Sequence, residues 1–401
     1  MKQKKLMLLG GIRYLLPVIK AAHEQGYYVI TADYLPDNIA HRYSDEYVNV
    51  SIIDKDAVLK VARERCIDGI MSFGVDPGVL AASYVQNQMG LPSFGPYESV
   101  EILQHKDKFR AFLKKHNFNV PWAYGHASVK DAWNAKDSFT YPLIVKPTDS
   151  AGSKGVTRVD DETGLQAALQ HAYNHSIKGH IIVEEFIEKQ GCSSDSDSFS
   201  VDGQLQVVTF SAQRFDAKAA GEFVPAAYSW PSTMTVSQEN ELKSELQRLL
   251  SLLHMKTSVY NIETRVGTNG KTYIMEVSPR GGGNRLSEMI RYATGVDMIT
   301  AAVRAAVGDD IPKLYSKHYQ GHWAEIVLHA DKAGIFDRLE ISSDLQAEVI
   351  EEDLWVQKGD QVDCFEGANN AIGMLILKFD SNKALDIALL DQHKWLKVIV
   401  K

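Results

Sequence analysis

The chain has 401 residues, 45% apolar and 23% charged, enough for two or three domains with real cores and the composition of a globular protein. A net charge of −8, with no basic patch or arginine-rich run, argues against a nucleic-acid partner. No stretch reaches the roughly 18 apolar residues of a membrane span, and three scattered cysteines (Cys66, Cys192, Cys364) form neither a CxxC pair nor a disulfide framework, as expected of a reducing cytoplasm. The basic-then-apolar start "MKQKKLMLLGGIRY" reads better as a first strand than as a signal peptide, because its apolar run is short and no A-x-A-like site follows.

In chain order, "KLMLLG" (5–10) predicts a strand, 14–26 a helix closed by a glycine, and 27–33 a second strand. An Asp-led helix follows at 54–66 and a strand at 68–74. Asp76-Pro77 then has the form of a cap and first-turn proline for a helix at 77–89. Short apolar strands between amphipathic helices predict a parallel α/β sheet covered on both faces. Such a sheet places ligands at its carboxyl ends, here near Gly10-Gly11, Asp33 and Phe73-Gly74.

The Gly, Pro and Ser-rich 89–99 marks a boundary. Beyond it come a lysine-rich helix (99–118), an extended segment and a strand at 141–147. That strand opens into "IVKPTDSAGSKGV" (144–156). Gly152 and Gly155 permit conformations and approaches that a Cβ would forbid, and bare amides beside Lys146 and Lys154 suit a phosphate. An ordinary flexible turn with solvated lysines is the alternative. A helix (161–175), a strand (179–188), a hairpin over 196–215 turning at Asp202-Gly203 and a helix at 238–254 come next.

"VYNIETRVGTNGKTYIMEVSPR" (259–280) is a second hairpin, signalled by Thr268-Asn269-Gly270. Its turn can bring Glu263 and Glu276 onto one face. Two half-buried carboxylates repel unless a cation intervenes, and a hard dication such as magnesium answers that need; two solvated, locally paired acids are the bland alternative. Arg280 follows at a strand end, where its fork can hold a phosphoryl or carboxylate group. Gly282 and Gly283 can let a substrate approach the backbone ahead of a helix at 284–294. Arg285 and Arg291 on that helix are candidate carboxylate binders or plain surface cations. Lysines on one lobe and acids plus arginine on another point to a nucleoside triphosphate with magnesium. No G-K-[ST] of a Walker loop occurs in 149–156, and the chain has neither H-R-D nor D-F-G.

The order of lysine helix, strand lysine, Gly-rich loop, "VEEFI", "NIETR" and "MEVSPRGGGN" resembles the ATP-grasp superfamily of carboxylate–amine ligases over roughly residues 1–310. The resemblance implies an α/β and α+β protein. Residues 1–98 would form a parallel-sheet pre-ATP-grasp domain, 99–180 the small lobe and 181–310 the large lobe of a two-lobed ATP-grasp fold. Residues 311–401 would form a C-terminal subdomain. It implies ATP and Mg2+ (or Mn2+), an acyl phosphate, and small-molecule carboxylate and amine substrates. Carried over by position, Lys108 (or Lys106 in the alternative register) and Lys146 would contact the phosphates, and Ser150, Gly152, Ser153 and Gly155 lie in the closing loop. Glu184 and Glu185 would meet the adenine amino group and the Ile187 amide its ring. Glu263, Glu276 and Ser278 would hold metal, and Arg280 would steady the transferring phosphoryl group.

Two departures stand out. Ser278 occupies a position where the family usually has asparagine, and Ser193, Ser194 or Asp195 would have to replace the usual ribose-binding glutamate. Within the superfamily, the Pro-Arg-Gly-Gly-Gly ending and the length are more like amino-acid or dipeptide ligases, with purine-pathway and carbamoyl-phosphate-type ligases as competitors. A nicotinamide-dependent oxidoreductase using Asp33, though "GGIRYLL" lacks G-x-G-x-x-G, and a non-catalytic ATP sensor are the other readings. The oligomeric state is open, a homodimer being a common arrangement.

Overall fold

A computed structural model describes residues 2–150, 152, 154–221 and 223–401. Among these, no helix is long and apolar enough to cross a membrane. The first sheet is wholly parallel, in the order Glu46–Asn49, Tyr28–Asp33, Lys5–Leu9, Gly69–Ser72. Its central strand shows why the sequence there is a continuous apolar run. Leu6 and Leu8 enter one core with the helices Leu16–Glu24 and Met298–Ala306, while Met7 and Leu9 enter another with Lys55–Arg65 and Val79–Met89. Both faces are dry, so alternation disappears.

Two antiparallel four-stranded sheets follow. One runs Ala123–His126, Ile181–Glu185, Leu143–Pro147, Thr157–Val159; the other Gln204–Val207, Ser194–Val201, Ser258–Val266, Thr272–Ser278. Together with the parallel sheet they give the mixed α/β and α+β architecture expected. The lysine-rich helix is two helices, Tyr97–Gln104 and Lys106–Lys115, separated by His105 in an extended conformation.

The expected 196–215 hairpin is confined to Ser194–Val201 and Gln204–Val207. Residues Ala212–Phe215 leave that sheet and pair with Pro225–Trp230. These two strands continue into His322–Leu328, Gly373–Phe379 and Val349–Leu354 as one five-stranded sheet. The sheets therefore do not divide the chain at 180 or at 310, since Ile181–Glu185 belongs with the preceding strands and Ala212–Trp230 with the C-terminal ones. A three-stranded sheet (Gln361–Val362, Gly334–Ile341, Leu396–Val400) completes the fold.

Candidate functional site

The two arms Ser258–Val266 and Thr272–Ser278 place Glu263 directly opposite Glu276 in antiparallel register, beside a bulge at Glu263/Thr264. Cross-strand partners share one face of a sheet, so the carboxylates face the same way, each about one-third exposed. Burial pushes the Glu263 carboxyl up; Arg265 at 4.0 Å opposes and Glu276 adds to it, with Lys146 close enough to be felt. The pair is short of positive charge.

Cations approach from the helix Lys106–Lys115 and the strand Leu143–Pro147. Lys106 Nζ lies 3.5 Å from Glu276 Oε2 and donates to the Ser150 carbonyl at 3.0 Å. Lys146, at the end of Leu143–Pro147, is paired with Glu184 on the adjacent strand. Arg110 donates to the other Glu184 oxygen at 2.9 Å and to the Met275 carbonyl at 2.7 Å, next to Glu276. Burial disfavours the Glu184 carboxylate, but Arg110 and Lys146 outweigh it and lower its pKa to about 2. Burial lowers Lys146, with Glu184 opposing and Arg110 and Lys106 repelling.

Two expectations need correction here. Lys108 points away from the cluster, to Glu101 at 2.9 Å; Lys106, the alternative register, joins it. The helix Lys106–Lys115 buries Phe109, Arg110 and Leu113, and Lys106 falls on that i, i+3, i+4, i+7 face whereas Lys108 does not. The Glu184 side chain is 2% exposed with both oxygens committed, so it orients Lys146 and is unavailable to a base. Glu185 remains half-buried, accepting from the Trp122 amide at 3.3 Å. The Ile187 amide has no partner among the described residues, while its carbonyl accepts from Arg265 at 3.1 Å.

The start and the end of the opening loop are held in place. Asp149 accepts from Ser176 Oγ at 2.8 Å and from the Ile177 and Lys178 amides. Gly155 has φ +74°, and a Cβ there would lie 2.7 Å from His175 Cβ and 2.9 Å from Pro147 Cγ, so the turn needs glycine. Gly152 turns with φ +68°. Ser153 lies outside the described residues.

Arg280 is fixed by a residue 204 positions away. Its Nε and Nη2 grip both oxygens of Asp76, at 2.8 and 2.5 Å, and Nη1 donates to the Gly281 carbonyl, leaving part of the fork free. Burial works against the Asp76 charge, but Arg280 holds it below the usual carboxylate range. Ser278 donates to Asp76 and accepts from Gln104, both at 2.9 Å, so its hydroxyl serves this pair.

Residues 139–288 match the ATP-grasp domain family. The chain carries an ATP-grasp domain. Its sequence is 26% identical over 278 residues to the carbamoyl phosphate synthase large chain of Thermoanaerobacter sp. (strain X514), covering 68% of this chain and 25% of that protein. The corresponding protein of Thermotoga sp. (strain RQ2) is 23% identical over 301 residues, 75% of this chain and 27% of that one. The chain thus spans about a quarter of the length of these curated relatives.

Among solved structures, an L-amino acid ligase from Bacillus licheniformis superposes with a TM-score of 0.83 at 19% identity, covering all of both chains. A phosphoribosylglycinamide synthetase from Anaerococcus prevotii gives 0.76 at 20%, again over both whole chains. The biotin carboxylase domain of the Hydrogenobacter thermophilus 2-oxoglutarate carboxylase, solved with MgADP, gives 0.74 at 16% over all of this chain and 92% of that one.

Beyond the hairpin, the ATP-grasp domain meets the rest of the chain through "GGGNR". A Cβ on Gly282 would fall within 3 Å of Leu286, Asn261 and Asp197, and its amide donates to Asp197 Oδ1 at 2.8 Å. Gly283 packs beside Tyr14. Tight packing therefore already accounts for Gly282. Arg285, expected as a substrate binder, is saturated by Glu351 (2.7 Å), Asp353 (3.2 Å) and Glu288 (3.0 Å). Arg291 is exposed, 3.4 Å from Asp297.

The three ribose candidates have internal partners, Ser193 and Ser194 being buried and Asp195 half-buried. Ser193 accepts from Arg265, Ser194 from the Ser211 amide, and Asp195 from Asn261 at 2.7 Å. In "FVPAAYSWPS" Tyr228 and Trp230 are fully buried core, with the Tyr228 hydroxyl accepting from Asn284 at 3.0 Å. Asp33 is held by Asn38 at 2.8 Å, and the space beside Gly11 is filled by Asn38 and His41, so this strand end already has occupants where a dinucleotide would rest.

Sequence reasoning missed Arg110 and the buried Asp197, and it read Asp76 only as a helix cap and Asp195 only as a ribose candidate. Burial raises Asp195 to about 7, with Glu263 adding, and Asp197 to about 6, against Ser287 and the Gly282 amide. The helical face shared by Lys106 and Arg110 was a usable signal; Asp76 had none beyond its cap-like Asp-Pro.

Proposed function

We propose that the chain is an ATP-dependent, ADP-forming ligase that activates a carboxylate as an acyl phosphate for attack by an amine, in the cytoplasm. The observation that carries this reading is the facing pair Glu263 and Glu276, met by Lys106 and Lys146. Two acids short of positive charge fit a hard dication, so Glu263 and Glu276 would hold magnesium or manganese. When bound, that ion would neutralise polyphosphate charge at the reacting end.

The chain's own residues supply the rest. Lys146, aimed by Glu184, and Lys106, at the loop carbonyl of Ser150, would bind phosphate oxygens. Arg280, locked by Asp76, would meet the charge that spreads over the transferring group. Ser150, Gly152, Ser153 and Gly155 would cover the phosphates and exclude water from the acyl phosphate. Glu185 and the free Ile187 amide are the adenine edge. We assign the substrates to the amino-acid class, the class for which the Bacillus licheniformis neighbour is named.

The test is an ADP-release screen over pairs of amino acids with magnesium. ADP formation that requires both an acid and an amine supports the ligase. Turnover indifferent to every pair, or tight ATP binding without turnover, would favour a sensor.

A further inference from the structure

A second cluster lies away from the ATP-grasp hairpin, in a cleft of about 310 Å3 at the C-terminal sheets. Asp216 follows the edge strand Ala212–Phe215, His329 and Asp331 follow His322–Leu328, and His393 sits on the short helix Gln392–Trp395. Residues up to 177 positions apart are gathered there. Asp216 Oδ2 lies 3.2 Å from His329 Nε2, and Oδ1 lies 2.9 Å from His393 Nε2. One donor atom each from Asp216, Asp331 and His393 falls within 4.8 Å of the others.

The His329 ring fixes Asp216. Its Nδ1 lies 2.7 Å from the Val327 carbonyl and its Nε2 3.2 Å from Asp216 Oδ2, while the Lys218 amide donates to Asp216 Oδ1 at 2.8 Å. Outer hydrogen-bond partners of this kind orient metal-binding carboxylates, and here the held carboxylate lies beside His393 and Asp331. Phe365, stacked on the His329 ring at 4.2 Å, keeps it from swinging away.

We propose that Asp216, Asp331 and His393 form a divalent transition-metal site, with His329 orienting Asp216 and zinc as the best match. One imidazole nitrogen and two carboxylate oxygens, with water as a fourth ligand, suit zinc, whereas magnesium and calcium take oxygen ligands only. Two carboxylates carry the charge that balances a dication. Such an ion would tie the edge strand, the sheet end and the C-terminal helix together. Lys218 and Lys397 at the cleft rim are exposed and have no ion pair among the described residues.

The test titrates Co2+ and Zn2+ into the full chain at pH 7.5 with excess magnesium, following the visible absorption of tetrahedral Co2+ and the zinc retained after dialysis. The expected result is one tight equivalent per chain, weakened at least tenfold in both Asp331→Asn and His393→Ala and unchanged in Glu263→Gln. Asp331 is exposed and the His393 side chain is one-third exposed, so both variants should keep the wild-type melting temperature of the metal-free protein. No stoichiometric binding by the wild type, or binding that both variants retain, overturns the proposal and leaves His329 and His393 as hydrogen-bond partners of Asp216 alone.

Discussion

Two groups of acids lie side by side in this molecule and differ in one respect. Glu184 is saturated: Arg110 and Lys146 occupy its two oxygens and hold its pKa at about 2. Glu263 and, opposite it on the next strand, Asp195 are starved; burial and neighbouring acids, Glu276 for the first and Glu263 for the second, push both up. Glu184, closed off with both oxygens taken by cations, is scaffolding, because its partners are already in the fold. A starved acid carries an unfavourable charge that only an outside cation can offset, and it marks where the chain expects a ligand. Arg285, held by three carboxylates, belongs to the first kind despite the sequence position that made it a candidate binder.

The largest effect should come from breaking the saturated group. Arg110→Met leaves Glu184 with a single partner in a closed site and should cost about 3–5 kcal/mol, read as a lower guanidinium chloride midpoint without ligands. A loss under about 1 kcal/mol would mean the pair is not structurally required.

Glu276→Gln works on the starved group. It should reduce ADP release at least about a hundredfold while the melting temperature of the ligand-free protein stays equal or rises, since a repulsion is removed. Undiminished ADP release by this variant would remove Glu276 from the metal set.

Lys106 and Lys108 sharpen the contrast two residues apart. Lys106→Ala should raise KM for ATP about tenfold, or about 1.4 kcal/mol, and Lys108→Ala should change it less than about twofold. The reverse order would restore Lys108 to the phosphate side.

The smallest effect is one of pH. Asp195 keeps its proton in the folded chain up to about 7, whereas an unfolded aspartate loses it near its ordinary value. The folded state therefore binds more protons in that window, so this group makes stability fall as pH rises from about 4 to about 7, with no further loss above. Melting temperatures from pH 5 to 8 without divalent ions should show that fall, shallower by a few degrees in Asp195→Asn. A parallel slope in the variant would assign the titration elsewhere.

The same contrast decides what could be read from sequence. The hairpin 259–280 was legible because a Thr-Asn-Gly turn is a local signal, with Gly270 at φ +78°. The doubly covered first sheet was legible from its apolar runs. Less was visible where partners are distant or polar. Ser194–Val201 buries Ser196, Asp197, Ser198 and Ser200, so hydrophobic patterning says little about it. Glu46–Asn49 is a half-exposed edge strand without an apolar run. The five-stranded sheet joins 212–230 to 322–379, a pairing no local motif announces. The helix break at His105 had no local signal either. Asp76 and Arg280, 204 residues apart, show the limit most plainly: each had a local reading, and their function as a pair exists only in the fold.

The most direct test of the central claim is an anomalous difference map from crystals grown with ADP and Mn2+. The account predicts a manganese peak about 2.1 Å from a carboxylate oxygen of both Glu263 and Glu276, with the diphosphate between it and Lys146. Manganese bound away from both acids, or a diphosphate out of reach of Lys106 and Lys146, would contradict it.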